Sequence, residues 1–289
     1  MPSLKVIRKR IASVKNTKKI TAAMKLVAAA RLRRAQDAIL AARPYAERLG
    51  EVISDIAARS GAAHPLLQQR EESKKIALVV ITSDRGLCGG FNSNLIRRTE
   101  RFLVDNQDKF EEASLYLVGR KGRDYFRRRK LKMVRDWSAV QGGDAALALA
   151  REIVPAVTES FLAGEYDTVY LVYNEFKSAI TQRAAVEQLL PVRVAPVDES
   201  YGLNDFKYEP SREELLTHLM PLHLEVQVYR AVLESIASEF GARMSAMDSA
   251  TRNASDMISS LTLQANRARQ ASITKELMEI IGGAEALKG

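Results

Sequence analysis

Cysteine is almost missing: Cys88 is the only one among 289 residues. A single thiol closes no intramolecular disulfide and supplies no Cys-rich zinc or iron–sulfur site. Histidine is scarce too, with only His64, His218 and His223. The last two stand five apart, which does not stack them as metal ligands on a helix face. No apolar run reaches the ~18–20 residues that a membrane-spanning helix needs. The opening MPSLKVIRKR has no continuous apolar stretch, so it does not read as a secretory signal. Aromatics make up 6%, thin for an all-β core. With 46% apolar and 27% charged residues the composition is globular. The expectation is a soluble, intracellular chain of mixed structure.

Glycine and proline are missing from particular places. Neither occurs from Ser3 to Arg43, and from Leu222 to Ile281 the only one is Gly241. The middle, Gly61 to Pro210, holds ten of the 15 Gly and five of the eight Pro. Long stretches without breakers predict two long helices flanking a compact middle. The expected divisions are 1–60, 61–210 and 211–289.

Periodicity agrees. Leu4, Ile7, Ile11 and Val14 step by three and four, and a second stripe runs Ala28, Leu32, Ala35, Ile39, Ala42. Leu215, Leu219, Leu222, Val226, Tyr229, Leu233, Ile236 and Phe240 alternate steps of four and three, the spacing of a coiled-coil seam. Ser211 and Glu214 form a capping-box pattern, Gly282-Gly283 reads as a stop, and Pro221 either starts the long helix or kinks it. At ~1.5 Å per residue such helices run to roughly 80 and 105 Å, too long for a domain of this mass. Both join the same middle segment, so the natural pairing is antiparallel, with the C-terminal end reaching furthest.

The middle reads as α/β. Residues 75–83, 114–119 and 168–176 are β-branched and aromatic runs, with 131–137 and 192–197 weaker candidates. Helical patterns lie at 94–109, 121–129 and 144–162, so βαβ units and a mostly parallel sheet are expected. Residues 61–73 look like an exposed linker.

SDRGLCGGFN (83–92) is the strongest local motif. A glycine-rich turn between strand and helix can cradle phosphate. This one has no Lys-Ser/Thr after its last Gly and no GxGxxG spacing, so a tight turn needing φ > 0 is the better reading. Cys88 has no His near it in sequence and reads as an inert small residue. No Ser–His–Asp order, HExxH or paired-carboxylate pattern stands out, so no catalytic site, cofactor or metal is expected.

Charge is uneven. Residues 1–50 carry 13 Lys/Arg against Asp37 and Glu47, which leaves −2 for the remainder of a chain at +9. Such a helix needs an acidic partner. Nucleic acid is one option, although residues 1–44 contain no aromatic for base stacking. A membrane surface would call for Trp or Phe anchors. An acidic protein surface is the third. The functional readings are a nucleic-acid-binding coiled coil, a nucleotide-binding enzyme built on the middle domain, and the one that follows.

Three stretches resemble the gamma subunits of F-type ATP synthases: IRKRIASVKNTKKITAAMKLVAAARLRRAQ (7–36), SDRGLCGGFN (83–92), and ARMSAMDSATRNASDMISSLTLQANRARQASITKELMEIIGGA (242–284). GEYDTVYLVYNEF (164–176) and KYEP (207–210) fit as well, and the extent of the match is similar to bacterial members.

The resemblance implies an α/β fold: a Rossmann-like domain without a nucleotide of its own, inserted between two terminal helices that form an antiparallel coiled coil. It implies a non-catalytic rotor shaft, one copy per complex, inside a ring of alternating alpha and beta subunits. The shaft would couple rotation of a membrane c-ring to ATP synthesis or hydrolysis at beta-subunit sites. Lys18, Lys19, Met24 and Lys25 would sit near the beta subunits' acidic lever. Arg243, Arg269, Gln270 and Thr274 would meet beta catch loops. Leu277, Met278, Ile280 and Ile281 would form an apolar tip turning in a sleeve. Tyr208, Glu209 and Pro210 would form the foot on the epsilon subunit and c-ring. Neither nucleic acid nor nucleotide would be bound. The place would be the cytoplasmic face of a bacterial inner membrane, peripherally. The two-Cys redox insertion of chloroplast members is absent.

Overall fold

Residues 3–60, 64–69, 74–129, 131–193, 209 and 211–286 are described by the computed structural model. In chain order they form α1 (Leu4–Ser60), β1 (Lys75–Ile81), α2 (Phe91–Asp105), β2 (Glu112–Val118), α3 (Arg120–Phe126), β3 (Lys132–Trp137), α4 (Gly143–Leu162), β4 (Thr168–Phe176), β5 (Gln182–Leu190) and α5 (Arg212–Ala286). The segments poor in breakers are indeed the two long helices. By packing, the chain divides into two units, Met1–Val27 with Met244–Gly289, and Ala28–Arg243.

In the larger unit the strand order is β3-β2-β1-β4-β5. β1 pairs in parallel with both β2 and β4, and β2 in parallel with β3. β5 runs antiparallel to β4. β1 is buried from Ile76 to Ile81. A strand covered on both faces has no use for polar alternation, and KIALVVI has none. Ile76, Leu78 and Val80 pack with Leu95, Leu115, Leu117, Phe126 and Val172. α4 buries Ala146, Leu149, Ala150, Ile153, Val154, Val157 and Phe161, one stripe at helical spacing.

β5 is the strand the sequence hides. QRAAVEQLL carries Arg183 and Glu187 and has no β-branched run. It is held by its hairpin with β4 and by α5: the Arg230 guanidinium reaches both Glu187 oxygens at 2.8 Å, and the Tyr173 hydroxyl donates to the same carboxylate at 2.8 Å. The strand expected at 192–197 does not form at Val192 and Arg193, and 194–197 lie outside the described residues. Nor is 61–73 simply an exposed linker. Leu66 is buried, and its carbonyl accepts the Val192 N–H at 2.8 Å.

Three expectations about α5 need correction. The first concerns the narrow seam. From Ala231 to Arg243 every residue but Glu234 is buried, because this stretch is covered from two sides. On one side the Arg31 guanidinium of α1 lies 5.4 Å from the Phe240 ring centroid. On the other, Ser235 Oγ donates to the Ile81 carbonyl at 3.3 Å and Ser238 Oγ to the Asn174 carbonyl at 2.9 Å. The second is the stop at Gly282-Gly283, which the helix passes on its way to Ala286. Glycine adopts αR freely and weakens a helix by only ~1 kcal/mol relative to Ala. The third is the start of the helix at Pro221: this residue lies inside α5, which rules it out as the first one. It is exposed, so the carbonyl it leaves without a donor faces water.

The first half of the capping box forms at the helix start: the Glu214 N–H donates to Ser211 Oγ at 3.2 Å. Ser211→Ala should therefore cost about 1 kcal/mol in urea unfolding. An unchanged midpoint would remove Ser211 as a cap.

In the smaller unit the two helices run antiparallel. Lys25 pairs with Asp248, and four residues earlier Thr21 meets Thr251 at 2.7 Å. Among the described residues of this unit, only Ile7, Thr21, Met247 and Ala254 are buried. Extending this register puts the start of α1 opposite about residue 268 of α5. From Arg269 to Gly283 every α5 residue is exposed.

Candidate interaction surfaces

In open parallel sheets ligands bind beyond the carboxyl ends of the strands, where the strand order reverses. Here that point lies between β1 and β4, beside the loop Thr82–Gly90 that follows β1. The side chains of Thr82 and Asp84 and the Ser83 N–H are engaged within the chain. Thr82 Oγ1 donates to the Val118 carbonyl and accepts the Gly122 N–H, at 2.8 and 2.9 Å. Asp84 Oδ1 accepts the Arg120 and Ala139 N–H groups at 2.9 and 3.1 Å. Asn92 Oδ1 accepts the Ser83 N–H at 3.0 Å. Leu87 and Gly89 take the positive φ values of 64° and 54° that the tight-turn reading expects. Cys88 is buried against Phe91 and Ala242. Burial pushes its thiol pKa up, away from a reactive thiolate. Thr82, Ser83 and Cys88 are thus packed into a corner under α5, while Arg85, Gly86, Leu87, Gly89 and Gly90 are exposed.

Arg243 belongs to that corner. Its side chain is buried; Nη1 lies 2.6 Å from Glu239 Oε1 and Nη2 donates to the Gly86 carbonyl at 3.2 Å. The guanidinium also faces the Phe240 ring, 5.5 Å from its centroid. Burial pushes the Glu239 carboxyl up, and Arg243 draws it back down. Nearby, a cleft of about 330 Å³ is lined by Arg31, Arg34, Gln141, Gly143, Leu233 and Phe240. Arg31 donates to the Gln141 side chain there.

The other candidates lie on the smaller unit. Lys25 Nζ donates to Asp248 Oδ1 at 2.6 Å. Arg252 reaches the other oxygen at 2.7 Å. The Lys25 hydrogen bond holds the Asp248 carboxyl below its usual range. Met24 and Lys18 are half-buried and Lys19 is exposed. The basic stretch is therefore not uniform: Lys25 is bound across the helix pair, whereas Lys19 points to solvent. Arg269, Gln270 and Thr274 are exposed. So are Leu277, Met278, Ile280 and Ile281, at 54%, 63%, 72% and 51%. Four large apolar side chains thus lie in open water. Glu209 is exposed, while Tyr208 and Pro210 lie outside the described residues.

Among the described residues no group of His, Cys, Asp and Glu could hold a metal ion, and no helix is long and apolar enough to cross a membrane. The family model described as ATP synthase matches residues 3–287. The ATP synthase gamma chain of Anaeromyxobacter sp. (strain Fw109-5) is 59% identical over 292 residues, covering 100% of both chains. A central-stalk and c-ring structure of the Tetrahymena thermophila mitochondrial ATP synthase matches with TM-score 0.57 at 28% identity, over 80% of this chain and 99% of that one. A Euglena gracilis mitochondrial ATP synthase structure, with F1 and c-ring in a third rotational state, shares the fold at TM-score 0.67 and 19% identity, over 98% and 94%. The chain belongs to the ATP synthase gamma-chain family.

Proposed function

We infer that this chain is the central-stalk rotor of an ATP synthase, non-catalytic by itself. It couples rotation of a membrane c-ring to the conformations of the nucleotide sites on the surrounding subunits. The observation that carries this is the far end of α5, where every residue from Arg269 to Gly283 is exposed, Ile273, Leu277, Met278, Ile280 and Ile281 among them. The nucleic-acid reading has no support, since the full-length relatives are gamma chains.

In this reading one copy stands inside a ring of alternating alpha and beta subunits. Leu277, Met278, Ile280 and Ile281 turn in an apolar sleeve. A greasy bearing suits a rotating part because burial is non-directional and favours no single angle. Arg269, Gln270 and Thr274 meet the beta catch loops, as does the corner that Arg243 braces. Lys18, Lys19 and Met24 face an acidic lever, with Lys25 positioned by Asp248. Exposed charge pairs are individually worth ~0–1 kcal/mol, enough to bias an angle and too little to lock it. A shaft that offers each beta subunit a different face gives identical sites different preferred conformations, a population shift by differential contact. Tyr208, Glu209 and Pro210 form the foot on the epsilon subunit and c-ring, at the cytoplasmic face of a bacterial inner membrane.

Native mass spectrometry with the cognate alpha and beta subunits tests this. One copy per ring of three alpha and three beta subunits, with ATPase activity responding to its presence, is the expected result. A chain that stays alone, or binds at several copies per ring, would overturn it.

A further inference from the structure

One stretch of strong charge lies away from the terminal helices. Residues 120–135 hold nine Lys/Arg and one acid, Asp124. They form α3, the turn after it, and β3. Three of the cations are engaged. Arg120 pairs with Asp84, Arg123 with Asp124 and Asp136, and Arg129 with Glu100. Lys130 lies outside the described residues. The other five, Lys121, Arg127, Arg128, Lys132 and Arg135, are exposed and form no ion pair among the described residues. Arg135 instead lies over the Trp137 ring, 5.1 Å from its centroid.

This charge sits on an open sheet edge. β3 is the outermost strand and pairs only with β2. From Lys132 to Asp136 every residue is exposed, including Met133 at 38% and Val134 at 42%. Among the described residues, one side of the strand therefore keeps backbone N–H and C=O groups without a neighbouring strand. Such an edge is a template for strand addition. Its cations repel a second copy of the same edge and select an acidic one. A lipid headgroup or a nucleic-acid phosphate matches the charge but makes no use of alternating backbone donors and acceptors. An extended polypeptide uses both.

We propose that the β3 edge and the arginines before it form a docking site for an acidic, extended segment of a partner protein, which adds to the sheet as a sixth strand. The affinity would come from main-chain hydrogen bonds and from cations at Arg127, Arg128, Lys132 and Arg135, with Met133 and Val134 receiving apolar side chains of the segment. A partner held there would ride with the rotor or, if anchored elsewhere, stop it.

The test is fluorescence anisotropy of the full-length chain with a short labelled peptide of alternating Glu and Thr. Saturable binding is expected, weakening steeply with salt. Lys132→Glu with Arg135→Glu should weaken it about tenfold or more, the scale of replacing attraction by like-charge contact at two positions. Lys132→Gln with Arg135→Gln should give an intermediate loss. Both residues are exposed and only the Arg135 contact with the Trp137 ring is lost, so the melting temperature should fall by no more than a few degrees, about equally in both pairs. The same peptide with alternate backbone amides N-methylated keeps its charge and loses its donors, and should bind about tenfold more weakly. Equal binding of the methylated peptide would overturn strand addition, and no peptide binding would overturn the site. Tighter binding of phosphatidylglycerol vesicles or single-stranded DNA, lost in the same variants, would reassign the patch and overturn the proposal.

Discussion

Arg243→Leu is expected to destabilise the folded chain by roughly 3–5 kcal/mol, the cost of leaving one partner of a buried ion pair alone. Glu239 would be that partner. It is 5% exposed and has Arg243 as its ion-pair partner at 2.6 Å. The loss would also free the Gly86 carbonyl and loosen the loop from α5. Burial pushes the Glu239 carboxyl up, and with Arg243 gone only Arg31 opposes that push. A carboxyl whose folded-state pKa lies above its unfolded value loses stability as pH rises past the unfolded value. The variant should therefore be weakest near neutral pH and regain stability on acidification toward pH ~5. Adding Glu239→Leu should restore most of the loss, since an apolar pair of similar volume replaces a buried ion pair at little cost. Urea unfolding at two pH values reads all three. A single variant as stable as the parent would show that the pair does not brace the corner.

How much of this was legible depends on what the residues report locally. The long helices were readable because breakers are scarce there, and β1 and β4 because their apolar runs fit no amphipathic period. β5 was not readable, because it is an edge strand whose Arg183 and Glu187 look like loop residues. The tip residues from Arg269 onward were placed by resemblance, and their exposure follows from α5 outrunning α1. Arg243 was placed by resemblance alone; the one local sign of its burial was Glu239, four residues earlier in an apolar run. The charge on β3 escaped because −2 over residues 51–289 averages a basic edge with acidic stretches elsewhere. Counting charge over a single element finds it.

Gly119→Ala should be the most damaging single methyl addition in the larger unit. Gly119 turns the chain from β2 into α3 at φ 90°. A Cβ there would stand 2.3 Å from the Thr82 carbonyl oxygen and 2.6 Å from its carbon. Both are backbone atoms at the end of β1, so no rotamer change relieves the contact. The φ alone costs an L-residue ~1–3 kcal/mol, and overpacking adds ~1–3 kcal/mol. A loss on the order of 4 kcal/mol approaches the whole stability of a marginal domain, ~5–15 kcal/mol. Gly142→Ala separates the two causes. Gly142 has φ 120°, yet its added Cβ would meet nothing within 4 Å. It should lose only the strain component and still fold. The consequence of the Gly119 change reaches the docking surfaces through Thr82, which holds both the Val118 carbonyl and the Gly122 N–H. If Thr82 shifts, the loop that carries Gly86 shifts, and Arg243 loses its second anchor. Thermal unfolding followed by circular dichroism should show Gly119→Ala melting far below Gly142→Ala. Equal midpoints, within ~2 °C, would mean that the crossing of β1 and α3 is looser than its atoms indicate.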